Sequence, residues 1–421
     1  MLPRLILPLL CALFSLSATA QETVLRAGHV FNSETGTYMQ DQYVRIEEGV
    51  IQGIGPWSAF DHDGTYIDLS DKYILPGLID AHVHLTSDAG VHGYKRLTRS
   101  LARQAITGAR NARRTVEAGF TTIRNLGAPG YADIALRDAI EAGDIPGPRI
   151  IASGPSLGST GGHCDNNLLP AEYGLKAEGV ADGPWALRAK VREVRKYGAN
   201  LIKICATGGV LSKGTQVGAQ QLTLEEMQAI VAEARLSGMK IAAHAHGNAG
   251  IRTAIEAGVD SVEHASFISE DVIAQSIKNG TYLSMDIYVS DYILSEGEKA
   301  GILPESLEKE RVVGKIQREN FRKAVKAGAK IAYGTDAGVY PHGDNARQMH
   351  YMVNWGMTPA QAIQAATLHN ADLLGLSDKI GQIKPGFYAD IIAVSTDPIE
   401  DIQALERIDW VMKAGTVFKQ D

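Results

Sequence analysis

Through the middle of the chain, short apolar runs alternate with longer stretches whose apolar positions recur at helical spacing. The runs Ile74 to His84, Thr121 to Asn125, Arg149 to Ser153, Leu201 to Cys205, Lys240 to His244, Ser261 to His264, Tyr282 to Asp286 and Lys330 to Thr335 read as strands. Helices are predicted over Leu101 to Ala118, Ala132 to Ala142, Trp185 to Tyr197, Leu224 to Leu236, Ala249 to Ala257, Glu270 to Ser276 and Glu308 to Ala327. A strand followed by a helix, repeated this way, is the signature of βα units, and the pattern predicts an α/β chain with a (β/α)8 barrel. Ser290 to Pro304 reads as an insertion over one rim, and Thr358 to Leu374 as a late helix.

The ends carry a different pattern. Val24 to Ala27, Gln42 to Ile46 and Val50 to Ile54 collect β-formers between turns, as do Ala389 to Val394, Trp410 to Lys413 and Thr416 to Phe418. The two sets are expected to meet in one small β-sandwich-like domain, residues 21–73 with 380–421, beside a barrel of residues 74–379. Residues 1–20 stand apart. Arg4 precedes the apolar run Leu5 to Leu16, and Ala18-Thr19-Ala20 offers a small-residue cleavage site, so this segment is expected to be a signal peptide. The mature chain is then expected to be secreted or periplasmic, without stable membrane insertion. Leu10 stands before Cys11 where a lipoprotein signal would need a small residue.

Composition narrows the function classes. With 421 residues and 45% hydrophobic content, the chain can bury a large core. The net charge of -7, with no basic stripe and no zinc-finger spacing, argues against nucleic acid as a partner. No Gly-Lys-Ser/Thr phosphate loop, dinucleotide fingerprint or Gly-x-Ser-x-Gly elbow occurs. Beyond the leader only Cys164 and Cys205 remain, and nothing in the sequence sets them together. Buried free thiols are expected, with a disulfide as the alternative.

The chemistry gathers at strand ends. His82 and His84 sit two apart in an extended chain, so both imidazoles can face one metal ion. His244 and His264 each close a strand, at the barrel face where sites assemble. Asp336 follows Gly334-Thr335 at the end of the last strand, where a carboxylate can reach a metal and accept a proton. Lys203 lies within Leu201-Ile202-Lys203-Ile204-Cys205 and points into the barrel. A bare ammonium there is costly, and either carboxylation by carbon dioxide or pairing with an acid would relieve it. His246 competes with His244 as a ligand, or stands behind it. Arg124 and Asn125, closing the second strand, could orient ligands or bind a carboxylate. His342 and His350 read as rim or helix residues.

Taken together, Ile74-Leu75-Pro76-Gly77-Leu78-Ile79-Asp80-Ala81-His82-Val83-His84, Lys203, His244, the stretch Gly258 to His264, and Gly334-Thr335-Asp336 resemble the amidohydrolase superfamily. The resemblance runs over almost the whole mature chain, including Gly381 to Asp390. It is strongest to the branch of Xaa-Pro dipeptidases and carboxypeptidases, close to imidazolonepropionase-like and ochratoxin-hydrolysing amidases. It implies two divalent metal ions, zinc in kind, one held by His82, His84 and Asp336 and the other by His244 and His264, bridged by an N6-carboxylated Lys203. It implies that His163, in Gly161-Gly162-His163-Cys164-Asp165, contacts substrate or stabilises the developing oxyanion. Self-association into a homo-oligomer is a further implication. Tyr288, shortly after strand seven, is a candidate substrate contact.

The expected chemistry is metal-assisted hydrolysis of an amide, with Asp336 taking a proton from the attacking water and passing it to the leaving nitrogen. The expected substrate is a small molecule, a dipeptide or an N-acyl amino acid. A cyclic-amide hydrolase, a deaminase and a non-catalytic binding module stay open as alternatives.

Overall fold

The structure, a computed structural model, describes residues 22–61 and 65–420; the expected leader lies outside them. β1 (Thr23–Asn32), β2 (Thr37–Glu47) and β3 (Val50–Pro56) form an antiparallel meander, and β4 (Ile67–Pro76) returns parallel to β1. At Gly77 the chain changes sheets and continues as β5 (Leu78–Val83). The single strand expected over Ile74 to His84 is therefore divided. Its first residues pair with a strand from the far end of the chain, whereas Ile79 and Asp80 pair with Thr122 and Ile123.

Parallel strands follow in chain order: β6 (Phe120–Asn125), β7 (Arg149–Ala152), β8 (Leu201–Cys205), β9 (Lys240–Ala245), β10 (Ser261–His264), β11 (Tyr282–Ser284) and β12 (Ile331–Ala332). Helices α1 (Leu101–Glu117), α2 (Ala132–Glu141), α3 (Pro184–Lys196), α4 (Leu224–Arg235), α5 (Asn248–Ala257), α6 (Glu270–Asn279), α7 (Val289–Ala300) and α8 (Pro304–Ala327) lie between them. The strands are buried almost throughout, as parallel strands covered by helices must be. Helix starts are written locally. Thr223 and Glu226 cap α4 reciprocally, and the Ser100 hydroxyl accepts from the Arg103 N–H at the start of α1.

This is a (β/α)8-type arrangement, but its ladder is not one unbroken sheet. It falls into an arc of three strands, β5-β6-β7, and an arc of five, β8 to β12. After β7 the chain turns through Gly154 and Pro155, and proline has no N–H to give a ladder. Pairing resumes where Leu157 N donates to Lys203 O at 2.8 Å and Leu157 O accepts from Cys205 N at 2.9 Å. At the other seam Ala81 N donates to Tyr333 O, Asp336 N to His82 O and His84 N to Ala337 O, all within 2.8 Å.

Ser290 to Pro304, expected as an insertion over one rim, is mostly helix α7, which packs against α8 and is tied to the segment after β5 through His92 N to Ala300 O. The late helix is interrupted by a π-turn over Ala365–His369.

β13 (Ile391–Val394), β14 (Trp410–Lys413) and β15 (Thr416–Gln420) complete a second sheet of seven strands in the order β15-β14-β13-β4-β1-β2-β3. The β-sandwich-like domain expected from the two ends is built on a single ladder of seven strands. Its β3 edge returns to the approach to β13, where Ile51 N donates to Phe387 O at 2.8 Å. Leu25, Val44, Ile51, Ile74, Ile391 and Trp410 meet inside this curl, so both ends of the chain share one apolar core. No helix among the described residues is long and apolar enough to cross a membrane.

Candidate metal centre

The C-terminal ends of β5, β8, β9, β10 and β12 converge on one cluster of side chains. His82, in β5, and His84, just past it, bring their Nε2 atoms to 3.5 and 3.2 Å from Asp336 Oδ1. The ring of His264, at the end of β10, lies 5.1 Å from that of His82 and 4.6 Å from that of His244 in β9. The His163 ring stacks on His244 at 4.0 Å. The structure therefore brings His82, His84, Asp336, His244, His264 and His163 into one row. The Lys203 side chain is buried in β8, and its Nζ has no hydrogen-bond partner.

His264 and Asp336 adopt left-handed backbone conformations, φ 71° and 58°. Residues other than glycine adopt this region at a cost, and here both residues belong to the cluster. Neighbours fix the rings. His264 Nδ1 is hydrogen-bonded to Asp286 Oδ1 at 2.9 Å, and Gln317 donates to that same oxygen at 2.8 Å. His82 Nδ1 lies 3.1 Å from Glu263 Oε2, and Arg124 Nη2 donates to Glu263 Oε1 at 2.8 Å. Asp80 accepts from the Thr335 hydroxyl at 2.6 Å and from Asn345 at 2.8 Å, tying the first strand end to the last. Asn125 accepts from Leu85 N at 2.7 Å, which holds the segment that follows His84.

Glu263, Asp286 and Asp80 were missed by the sequence reading. Asp286 closes a predicted strand, so the positional rule that found the histidines could have found it as well. His342 is corrected from a rim residue. It is buried, bonded to Thr115 Oγ1 at 3.0 Å, and its Nε2 lies 3.3 Å from His84 O. His350 stays on its helix beside Asn354. Tyr288 sits in an aromatic group with Tyr340 and Tyr351, its hydroxyl accepting from Arg347 at 3.3 Å. The structure records no contact between its ring and the histidines.

Cys164 and Cys205 are joined as a disulfide, with Cα atoms 5.8 Å apart, which corrects the expectation of free thiols. The cause is the seam between the arcs: the Leu157–Ile204 bridge runs the start of the His163 loop alongside the end of β8.

Electrostatics follow from burial. It pushes the imidazoles of His82 and His163 down to about 4 and about 3, and the Lys203 amine down to about 8. His244 and His246 are held well below the ordinary imidazole range by burial and their histidine neighbours. Neutral imidazoles present lone pairs, the state a cation needs. Burial alone would raise the Asp336 carboxyl, but His82, His84 and His264 outweigh it and keep Asp336 ionised. For His264 the Asp286 carboxylate outweighs burial and raises the imidazole.

Divalent cations fit this arrangement. His82 Nε2, His244 Nε2 and Asp336 Oδ1 are buried without a hydrogen-bond partner, each at a cost of about 1–3 kcal/mol unless something else satisfies it. Three donor groups, His82-His84-Asp336, His244-His246-His264 and His264-Asp286-Asp336, each hold their ligand atoms within 4.8 Å of one another. His264 and Asp336 recur among them, so the candidate positions adjoin. His246, whose Nδ1 is bonded to Ser266 Oγ at 2.8 Å, stays a competitor for the second position.

The comparisons with known proteins agree with this architecture. The model of the amidohydrolase family matches residues 73–418. An ochratoxinase from Aspergillus niger is 35% identical, the match covering 95% of this chain and 87% of the relative. The crystal structure of a Xaa-Pro dipeptidase with methionine bound in its active site superposes with a TM-score of 0.90 at 38% identity, covering 95% of this chain and all of the other. The crystal structure of Aspergillus niger ochratoxinase gives a TM-score of 0.87 at 30% identity, covering 96% and 97% of the two chains. Sequence and fold agree along nearly the whole length, and the chain belongs to the amidohydrolase family.

Proposed function

We propose that this protein is an exported hydrolase that cleaves the amide bond of dipeptides or N-acyl amino acids at a centre of two divalent cations, zinc in kind. One observation carries this reading: His82 Nε2, His244 Nε2, Asp336 Oδ1 and Lys203 Nζ are all buried and unpartnered at the ends of strands that meet. His82, His84 and Asp336 would hold one cation, and His244 and His264 the other. Lys203, carboxylated on Nζ, would stand between them, which turns an uncompensated ammonium into a ligand. The similarity to an ochratoxinase and to a Xaa-Pro dipeptidase supports amide hydrolysis.

When bound, the cations would polarise the amide carbonyl and acidify water. The protein's own groups do the rest. Asp336, held as a carboxylate by the imidazoles beside it, accepts the proton of the attacking water and delivers it to the departing nitrogen. His163 stays neutral, with Nδ1 at 2.8 Å from Ser212 Oγ, and Ser212 Oγ lies 2.5 Å from Thr215 Oγ1. With Nδ1 accepting from the Ser212 hydroxyl, the His163 proton would sit on Nε2, free to donate to the carbonyl oxygen as charge develops there. Gly209 allows the stack beneath it: a Cβ there would lie 2.4 Å from the His163 ring and 2.8 Å from that of His244.

The test is amino-acid release by zinc-loaded protein from a panel of dipeptides and N-acyl amino acids, with a chelated control and metal analysis. Chelator-sensitive release with two metals per chain supports the reading, and the preferred C-terminal residue separates a proline dipeptidase from a broader amidase. No release from a fully metallated sample would overturn it in favour of cyclic amides or deamination.

A further inference from the structure

The loop that carries His163 leaves the fold after Leu157 and returns only at α3 (Pro184–Lys196). Apart from an isolated bridge between Gly158 and Val180 and a single 3-10 turn over Ala171–Tyr173, it has no regular structure of its own. A residue meant to meet a developing charge needs tighter placement than such a loop provides. Polar contacts supply part of it. His163 N donates to Gln221 Oε1 at 2.8 Å, and Asp165 accepts from Gly161 N, Asn166 N and Ala177 N at 2.8–2.9 Å.

The one covalent fixture among the described residues begins at the very next position. Cys164 follows His163, and its partner Cys205 ends β8, two residues beyond Lys203. At the base of this link the chain segments press together: a Cβ on Gly158 would lie 2.9 Å from Cys164 Cβ and 3.7 Å from Cys205 Cβ. The bond thus pins the residue after His163 to a fully buried strand that also bears Lys203. Its two ends differ in access, since Cys164 is half-buried and Cys205 fully buried.

We propose that the Cys164–Cys205 disulfide is a positioning device for His163, and that a dithiol reductant opening it slows the enzyme without emptying the metal centre. The proposal rests on the catalytic part given to His163 above. A thiolate of the reductant attacks the accessible Cys164 sulfur, the S–S bond breaks, and Cys205 leaves as a thiolate and takes up a proton. The second thiol of the reductant then displaces Cys164, leaving two cysteine thiols and an oxidised dithiol. The loop then keeps only its hydrogen bonds. The ring of His163 can leave its stack on His244 while the ligands, which sit on buried strand ends with Lys203 of β8 among them, stay in place.

The experiment uses the folded full-length wild type, oxidised or treated with dithiothreitol, so that it does not depend on a cysteine variant folding. Peptide mapping should find Cys164 joined to Cys205. Reduction should raise hydrogen exchange over residues 159–168, leave zinc content unchanged, and lower kcat by about tenfold to a hundredfold, the scale of a misplaced catalytic group. Reoxidation should restore the rate. A Cys164→Ser, Cys205→Ser double variant should begin at the reduced rate and ignore the reductant. In a His163→Asn background, reduction should cost nothing further in kcat, because the tether acts through that ring. Free thiols in the oxidised protein would overturn the proposal, as would an equal kcat in both states. A His163→Asn protein that loses as much again on reduction would overturn it too, since the bond would then serve the structure at large. If no substrate is hydrolysed in either state, the function proposed above fails, and hydrogen exchange still tests the tether: unchanged exchange over 159–168 sinks it.

Discussion

Glu263 Oε2 lies 3.1 Å from Nδ1 of His82, although the two residues stand on opposite arcs of the parallel strands. The other oxygen of Glu263 accepts from Arg124, whose Nε donates to Ala81 O at 2.5 Å, next to His82 in the chain. Arg124, Glu263 and His82 thus orient the ring that would face a cation. Burial alone would raise the Glu263 carboxyl, but Arg124 and His82 hold it well below the usual carboxylate range. Substituting Glu263→Gln should lower zinc affinity by about tenfold to a hundredfold, the usual cost of losing such a support. It should also destabilise the metal-free protein, because Arg124 is left buried without its counter-charge. Zinc titration with a competing chelator, beside urea unfolding of the apoprotein, reads both effects. Unchanged affinity would remove Glu263 from the site.

This chain of supports marks where sequence reading reaches its limit. His82, His84, His244, His264 and Asp336 were legible because a titratable residue ending an apolar run is uncommon, and in this fold class strand ends converge. Glu263 stands next to His264 in the chain but serves His82, and that pairing exists only once β10 faces β5 across the interior. The disulfide was hidden for the same reason. Its cysteines are 41 residues apart and meet through a bridge at the seam between the arcs, which no local pattern encodes. Apolar periodicity placed every parallel strand. It could not show that the first would split at Gly77, because Ile74 and Ile79 are equally buried in two different sheets.

Lys203 separates two demands. Without cations its Nζ is a buried amine with no hydrogen-bond partner, so Lys203→Met should stabilise the metal-free protein by about 1–3 kcal/mol. With zinc supplied, the same variant should bind less metal and lose most of its activity, since the proposed bridging ligand would be gone. Urea unfolding of the apoprotein and metal analysis of the loaded one make the comparison. A variant that bound both metals normally and kept full activity would end the bridging assignment.

Asp336 is expected to move protons as well as hold metal. Asp336→Asn keeps the shape and one oxygen donor but no longer accepts a proton. The expected outcome is partial retention of zinc and a fall in kcat of about a hundredfold or more, within the range of general acid–base contributions. Metal content and kcat measured on the same preparation decide it. Full activity with full metal would refute the proton-transfer role.

Glu310 of α8, which feels the charges of Asp286 and His264, gives a pH dependence whose sign can be worked out. Its carboxyl is buried and bonded to the Ser290 hydroxyl, and burial raises it from 4.5 to about 7. The folded state therefore binds the Glu310 proton more tightly than the unfolded chain does. The stability this contributes is complete below pH 4.5 and is lost as the pH rises through about 7, where the fold must hold an ionised carboxylate in the interior. The difference across that window is about 3 kcal/mol. Glu310→Gln has no such charge to bury. It should match the wild type near pH 5 and exceed it at pH 8, by several degrees in Tm or a corresponding shift in the urea midpoint. If the two proteins keep a constant difference from pH 5 to pH 8, Glu310 is ionised in the fold throughout, and another buried acid governs the alkaline side of the stability curve.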